Sequence, residues 1–359
     1  MRQNNAAPNS NNRRSFLKGS LAAVAGASAL SSPNLLAQST RRLTNGDAAI
    51  LKFLAAAELI ESDLWQQYAE LGGVTTGSQN AYQMAFQQLD PDGSQYITSN
   101  TLDEQSHAAF LNAYLVMRGQ EAVNLDQFRT LPSSQATGAG SMGRLTNLTQ
   151  LTVDTSWYTR YRSTTNPDFG ATFVQAIPAL AKGAFSAIPK TNADFGPADH
   201  VQALANTAAF HFASIEQGGS SLYSTLAQLV SDPEVLRIVI SIGGDEVAHF
   251  LEWVDFSGNA VQPPVAPVTD PNNGLVFPNF DATPNPLLQT NLIFPVPCEF
   301  IDASLPHCAV IRPTAQGQID AVGAANALTA SGLFIGQPQS FIQLLLEMAI
   351  AADSAVRGR

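Results

Sequence analysis

The chain has 359 residues, 45% of them hydrophobic and 13% charged, proportions of a protein that buries a core and that exclude a disordered chain. Acidic residues outnumber basic ones by 29 to 18, for a net charge of −11, and no basic stripe with interleaved aromatics occurs. Nucleic acid and anionic membranes are thereby excluded as partners.

Residues 1–37 read as a twin-arginine export signal. Asn12-Arg13-Arg14-Ser15-Phe16-Leu17-Lys18 precedes an apolar run from Leu21 to Leu30 that is too short to anchor in a bilayer, and Ala37 is a plausible cleavage point. The expected location is periplasmic or extracellular, with no membrane association after export. Loss of Arg2, Arg13, Arg14 and Lys18 would leave a net charge of about −15.

From 44 to 258 the apolar spacing predicts an all-α unit of four helices. The first runs from about Asp47 to Leu71, where Gly72-Gly73 supplies a stop. The second covers roughly Thr98 to Met117. A crossover over 120–196, rich in Thr, Ser, Gly and Pro, follows, with a short helix expected near Phe169 to Phe185. The third helix opens after Gly196-Pro197 and extends to Val230, long enough that a break is expected at Gly218-Gly219. The fourth opens on Ser231-Asp232-Pro233-Glu234, a cap with proline in the first turn, and runs to Phe256. Over 259–359 a Pro-rich segment with short strand-like pieces precedes two further helices, Gln316 to Phe334 and Pro338 to Val356, placed to pack on the bundle or on a second copy of the chain. The two cysteines, Cys298 and Cys308, are expected to form a disulfide in an oxidising compartment.

The four helices carry, in order, Glu58, Asp103-Glu104-x-x-His107, Glu216 and Asp245-Glu246-x-x-His249. Three residues advance a helix by roughly 300°, so each Glu-x-x-His pair shares one face a turn apart. Random placement of the glutamates and histidines predicts about 0.15 such spacings. Two occur, both preceded by Asp and both in helical pattern. One Glu from each of two helices, with Glu-x-x-His from each of the others, is the ligand set that binds two metal ions inside a bundle. Several buried carboxylates need compensation, and the four helices supply few cations beyond Lys52, Arg118 and Arg237. Two divalent ions meet that need, and mixed carboxylate and imidazole donors favour iron or manganese.

Alternatives stay open at several positions. Glu61 competes with Glu58, which is preferred because Trp65 follows Glu58 by the seven residues that separate Tyr223 from Glu216. Trp65 and Tyr223 are candidate redox relays. Glu104 also stands three residues after Thr101, as in a capping box. Asp103 and Asp245 either orient an imidazole or lie exposed. His200, His211 and His307 fit no pair and read as structural or surface residues. Asp90-Pro91-Asp92-Gly93 reads as a turn rather than a calcium loop.

AELIESDLW, DEQSHAAF, SIEQGGSSLY and DEVAHFLEW, spread over Asp47 to Phe256, resemble the ferritin-like superfamily, in particular exported ferritin-like domain proteins related to desiccation-related proteins. The resemblance implies a four-helix bundle with a long crossover and metal ligands at Glu58, Glu104, His107, Glu216, Glu246 and His249. The crossover is longer than that of an iron-storage ferritin, and Gly-Gly pairs beside Glu216 and Asp245 depart from the pattern. The expected function is a two-metal protein that reacts with dioxygen or peroxide, ferroxidase-like or manganese-catalase-like, with a small oxidant or a metal ion as its substrate and a homo-oligomer as its assembly. The alternative is a structural or stress-protective bundle whose metal site is mainly stabilising.

Overall fold

The computed structural model describes residues 42–359 apart from 75–78, 161–174, 258–265, 280–294, 297–301, 303, 307, 310–319 and 359. The export signal read over 1–37, His307, and the pairing of Cys298 with Cys308 lie outside the described residues.

Helix α1, Asn45–Gly72, opens on Thr44, whose hydroxyl accepts the Asp47 amide, and closes at Gly73, whose amide returns to the Ala69 carbonyl. A short helix α2, Ala81–Leu89, follows. Its Asn80 and Gln83 form a reciprocal capping box, a start signal too brief to stand out in the sequence. Helix α3, Gly93–Met117, starts five residues before the expected Thr98. Asp90 to Asp92 form the turn, and Gly93 is pressed so closely on the Phe256 ring that a side chain there would overlap it. Thr101 is therefore mid-helix, its hydroxyl donating to the Trp65 and Ile97 carbonyls, and the capping role for Glu104 falls away.

Among its described residues the crossover holds one turn of α-helix, α4, Ser156–Arg160, and two short 3-10 turns, Asp126–Phe128 and Asn192–Phe195, and otherwise runs as loop. The helix expected near Phe169 to Phe185 is not formed in the described part, where 176–182 are bends and turns; residues 169–174 lie outside the described residues. Helix α5, Ala198–Ala227, passes through Gly218-Gly219 without the expected break. Helix α6, Pro233–Phe256, has Asp232 as its cap and proline in its first turn, as the sequence predicts.

Cross-helix contacts fix the directions. Glu58 meets Tyr223 while Tyr68 meets His211, so α1 and α5 are antiparallel. Trp253 meets Asn100 while Asp245 meets His107, so α3 and α6 are antiparallel. Val74 meets Thr98 while Gln66 meets Gln105, so α1 and α3 are antiparallel as well. It follows that α3 and α5 run parallel, which obliges the chain to travel back along the bundle between them. The crossover makes that journey pinned to α1. Buried Asp63 accepts the amides of Leu145 and Thr146, the Thr146 hydroxyl and Arg129, and Glu70 pairs with buried Arg144.

Beyond α6 come two small antiparallel ladders, β1 (Val268–Thr269) with β2 (Val276–Phe277) and β3 (Pro295–Val296) with β4 (Cys308–Ala309). Helices α7, Ala321–Ala330, and α8, Gln339–Asp353, are shorter than the sequence suggested. Of these, α8 packs on α1, and α7 packs on α8 and α5. Among the described residues no helix is long and apolar enough to cross a membrane.

Candidate metal centre

All six residues read as ligands converge at the middle of the bundle, where the four glutamates are fully buried and the two histidines nearly so. Glu58, Glu104, His107 and Glu246 form one set whose ligand atoms lie within 4.8 Å of one another; Glu104, Glu216, Glu246 and His249 form a second on the same criterion. Glu104 and Glu246 belong to both. Glu58 enters the cluster and Glu61, one turn on, does not. Each imidazole points Nδ1 inward: His107 Nδ1 stands 3.4 Å from both Glu58 and Glu104, and His249 Nδ1 stands 3.1 Å from Glu104 and 3.4 Å from Glu216.

The outward nitrogens are held in a crossed pattern. His107 Nε2 meets Asp245 at 3.1 Å, and His249 Nε2 meets Asp103 at 3.4 Å, so the aspartate preceding each motif serves the histidine of the other. A carboxylate on the outer nitrogen fixes which ring nitrogen is free to bind a metal. The crossing follows from the antiparallel packing of α3 on α6.

Electrostatically the metal-free cluster is frustrated. Burial, and then the neighbouring glutamates, push Glu104 up to about 8 and hold Glu246 well above the usual carboxylate range. Burial alone would lower His107; the carboxylates of Asp245, Glu104 and Glu58 that face its ring nitrogens outweigh it and carry the imidazole up to about 12. Five buried carboxylate oxygens, Oε2 of Glu58 and both of Glu216 and Glu246, make no hydrogen bond among the described residues; three of them face an imidazole, with His107 Nδ1 3.4 Å from Glu58 and 3.7 Å from Glu246, and His249 Nδ1 3.4 Å from Glu216. Buried acceptors of this kind are destabilising by several kcal/mol unless a cation or proton meets them. The donor set, four carboxylates and two imidazoles with two of the carboxylates shared, fits a pair of divalent ions.

A family model described as a ferritin-like domain matches residues 46–254, more than half of the chain. The chain belongs to the ferritin-like domain family. No curated protein and no solved structure matches it.

Within this ferritin-like bundle the Gly-Gly pairs have distinct packing roles. A Cβ at Gly219 would overlap Glu246 Oε2, and one at Gly243 would stand 2.7 Å from Tyr223 Cβ, so these two glycines let α5 and α6 approach closely at the cluster. The other member of each pair, Gly218 or Gly244, faces open space. Buried Tyr223 donates its hydroxyl to Glu58 Oε1. Trp65 Nε1 makes no hydrogen bond among the described residues, and the ring stacks on Trp253 at 5.1 Å between ring centres. The residues that sequence reasoning missed are Trp253 and Asn100. Trp253 Nε1 donates to Asn100 Oδ1 at 2.6 Å, and Asn100 Nδ2 donates to Glu104 Oε1 at 2.8 Å, tying the aromatic core to a shared carboxylate. Asn100 lies one turn before Glu104 on the same helix face, a signal that only the second motif, with Ile242 at that place, obscures. His211 is buried against Tyr68, and His200 is bound to Asp270, both structural placements.

Proposed function

We propose that the six residues hold two divalent cations, iron or manganese, and that the protein reacts with dioxygen or peroxide, either oxidising ferrous iron or disproportionating peroxide, after export by the twin-arginine route. The observation that carries this reading is the pair of four-residue sets sharing Glu104 and Glu246, with five buried carboxylate oxygens that make no hydrogen bond among the described residues. When bound, such a pair of ions supplies one-electron redox chemistry and Lewis acidity away from bulk water. The chain's own part is to position. Glu104 and Glu246 span the two sites, Glu58 and Glu216 close them, and Asp245 and Asp103 keep each imidazole's Nδ1 free. Tyr223 holds Glu58 through its hydroxyl, the proton and electron relay position nearest the cluster.

The test is to load the purified protein with ferrous or manganous ion, measure metal per chain, and follow consumption of dioxygen, peroxide and ferrous iron. About two ions per chain and turnover with at least one of the three is expected; metal uptake with no reaction toward any of them would sink the redox reading. The complete burial of the glutamates favours a second reading, a bundle that the ions chiefly stabilise. Unchanged thermal stability in the double variant Glu104→Ala, Glu246→Ala, compared with loaded wild type, would rule that second reading out.

A further inference from the structure

A cavity of about 590 Å³ lies against the cluster, between α1, α5, the crossover and α7. Glu61, Gly219 and Tyr223 stand on its wall; of these, Gly219 touches the space of Glu246, and Tyr223 holds Glu58. The remaining wall is mainly apolar, including Phe53, Leu64, Ile215, Leu222, Leu328 and Leu345. Helix α7 contributes Gly323, Ala324 and Ala327, residues too small to fill the space. Gly218 belongs to the same wall, and a Cβ there would meet nothing within 4 Å. Glycine in mid-helix is unfavourable relative to alanine. Gly219 is explained by the approach of Glu246; Gly218 has no close neighbour, and what its missing side chain leaves open is this cavity.

The volume is that of a small-molecule site, and such sites combine an apolar wall with a few placed polar groups. His211 on this wall is buried, its Nδ1 is 2.8 Å from the Tyr68 hydroxyl, and its Nε2 has neither a hydrogen-bond partner among the described residues nor surface open to a bound molecule. No Lys or Arg stands among the lining residues, whereas Glu61 and Asp154 do, so an anionic head group is disfavoured.

We infer that this cavity binds a neutral, largely apolar organic molecule that lies against the cluster. That the bound molecule is a substrate rests on the metal reading above; that it binds does not.

The experiment titrates the full chain with prodan, a fluorescent naphthalene carrying one ketone, and displaces it with decan-2-one, decane or decanoate. Saturable one-to-one binding with blue-shifted emission is expected, with decane and decan-2-one each displacing the dye about tenfold more effectively than decanoate. Gly218→Leu, which fills the cavity from a helix position with room for a side chain, should weaken prodan binding at least about tenfold while thermal melting is retained; Ala327→Phe serves as an independent filling variant. Absence of saturable binding, or binding untouched by both filling variants, overturns the cavity as a site, and displacement by decanoate equal to that by decane in the wild type overturns the preference for a neutral molecule. Manganese loading should quench the bound dye; a loaded protein that binds prodan without quenching overturns its placement against the cluster. If the chain takes up no metal yet binds prodan, the metal reading fails and the binding site stands.

Discussion

Helix α1 carries five acidic side chains, and each has a different task. Asp47 accepts the Ser231 and Asp232 amides, Glu58 enters the cluster, Glu61 faces the cavity, Asp63 anchors the crossover, and Glu70 pairs with Arg144. Chemically alike residues diverge because helix rotation aims each at a different neighbour. The membership of Glu104 in both sets makes a sharp prediction. Glu104→Ala should abolish uptake of both ions, since Glu104 belongs to both sets, whereas Glu58→Gln should leave about one ion per chain, as judged by elemental analysis after loading and desalting. The cluster's protonation predicts a pH dependence too. In the metal-free protein Glu104 is raised to about 8, so it binds its proton more tightly folded than unfolded, and the stability this contributes is full below the unfolded carboxylate range and lost as pH rises to about 8. His107, raised to about 12, acts in the same direction, its contribution being full below the ordinary imidazole value and lost as pH rises from there to about 12. Thermal melting of the metal-free protein should therefore fall steadily from about pH 5 to about pH 9, inside the window of these two shifts, which extends up to about 12. Metal affinity should rise over the same interval because uptake releases those protons.

At the scale of the element, α5 shows how a local rule yields to packing. Two adjacent glycines predict a weak point, and an isolated helix would fray there. In the protein the helix is covered on nearly all sides by α1, α6, the crossover and α7, and the seam at Gly219 and Gly243 is where α5 and α6 approach most closely at the cluster. The two neighbouring positions should thus respond differently to the same change. Gly219→Ala displaces the Glu246 carboxylate and should weaken metal binding about tenfold to a hundredfold with little effect on folding. Gly218→Ala meets open space and should raise stability by up to about 1 kcal/mol. Isothermal metal titration and chemical denaturation of the two variants separate the effects. The same contrast explains what was legible here. The four long helices could be read because apolar periodicity and caps are local properties, and so could the two Glu-x-x-His faces. The start of α3 and the existence of α2 could not, since Gly93 is chosen by the ring of Phe256, more than a hundred residues away.

For the whole molecule, parallel α3 and α5 require a long return path, and buried Asp63 is the point where that path is fastened. Removing it leaves the Leu145 and Thr146 amides and Arg129 without their acceptor. Asp63→Ala should destabilise the fold by about 3–5 kcal/mol and open residues 120–160 to proteolysis before the bundle itself unfolds; urea denaturation and limited digestion followed by mass spectrometry check both. By itself the sequence determined the helical class, the order of the four bundle helices and the six residues that meet at their centre. Helical periodicity puts each Glu-x-x-His on one face, and the energetic demand of buried carboxylates gives those faces a reason to meet. Only the tertiary structure decided that Glu104 and Glu246 are shared, that each aspartate serves the opposite histidine, that Trp253 rather than Trp65 connects to the cluster, and that Gly218 opens a cavity beside it. Those are relations between helices, and no spacing within one helix encodes which neighbour its side chains will face.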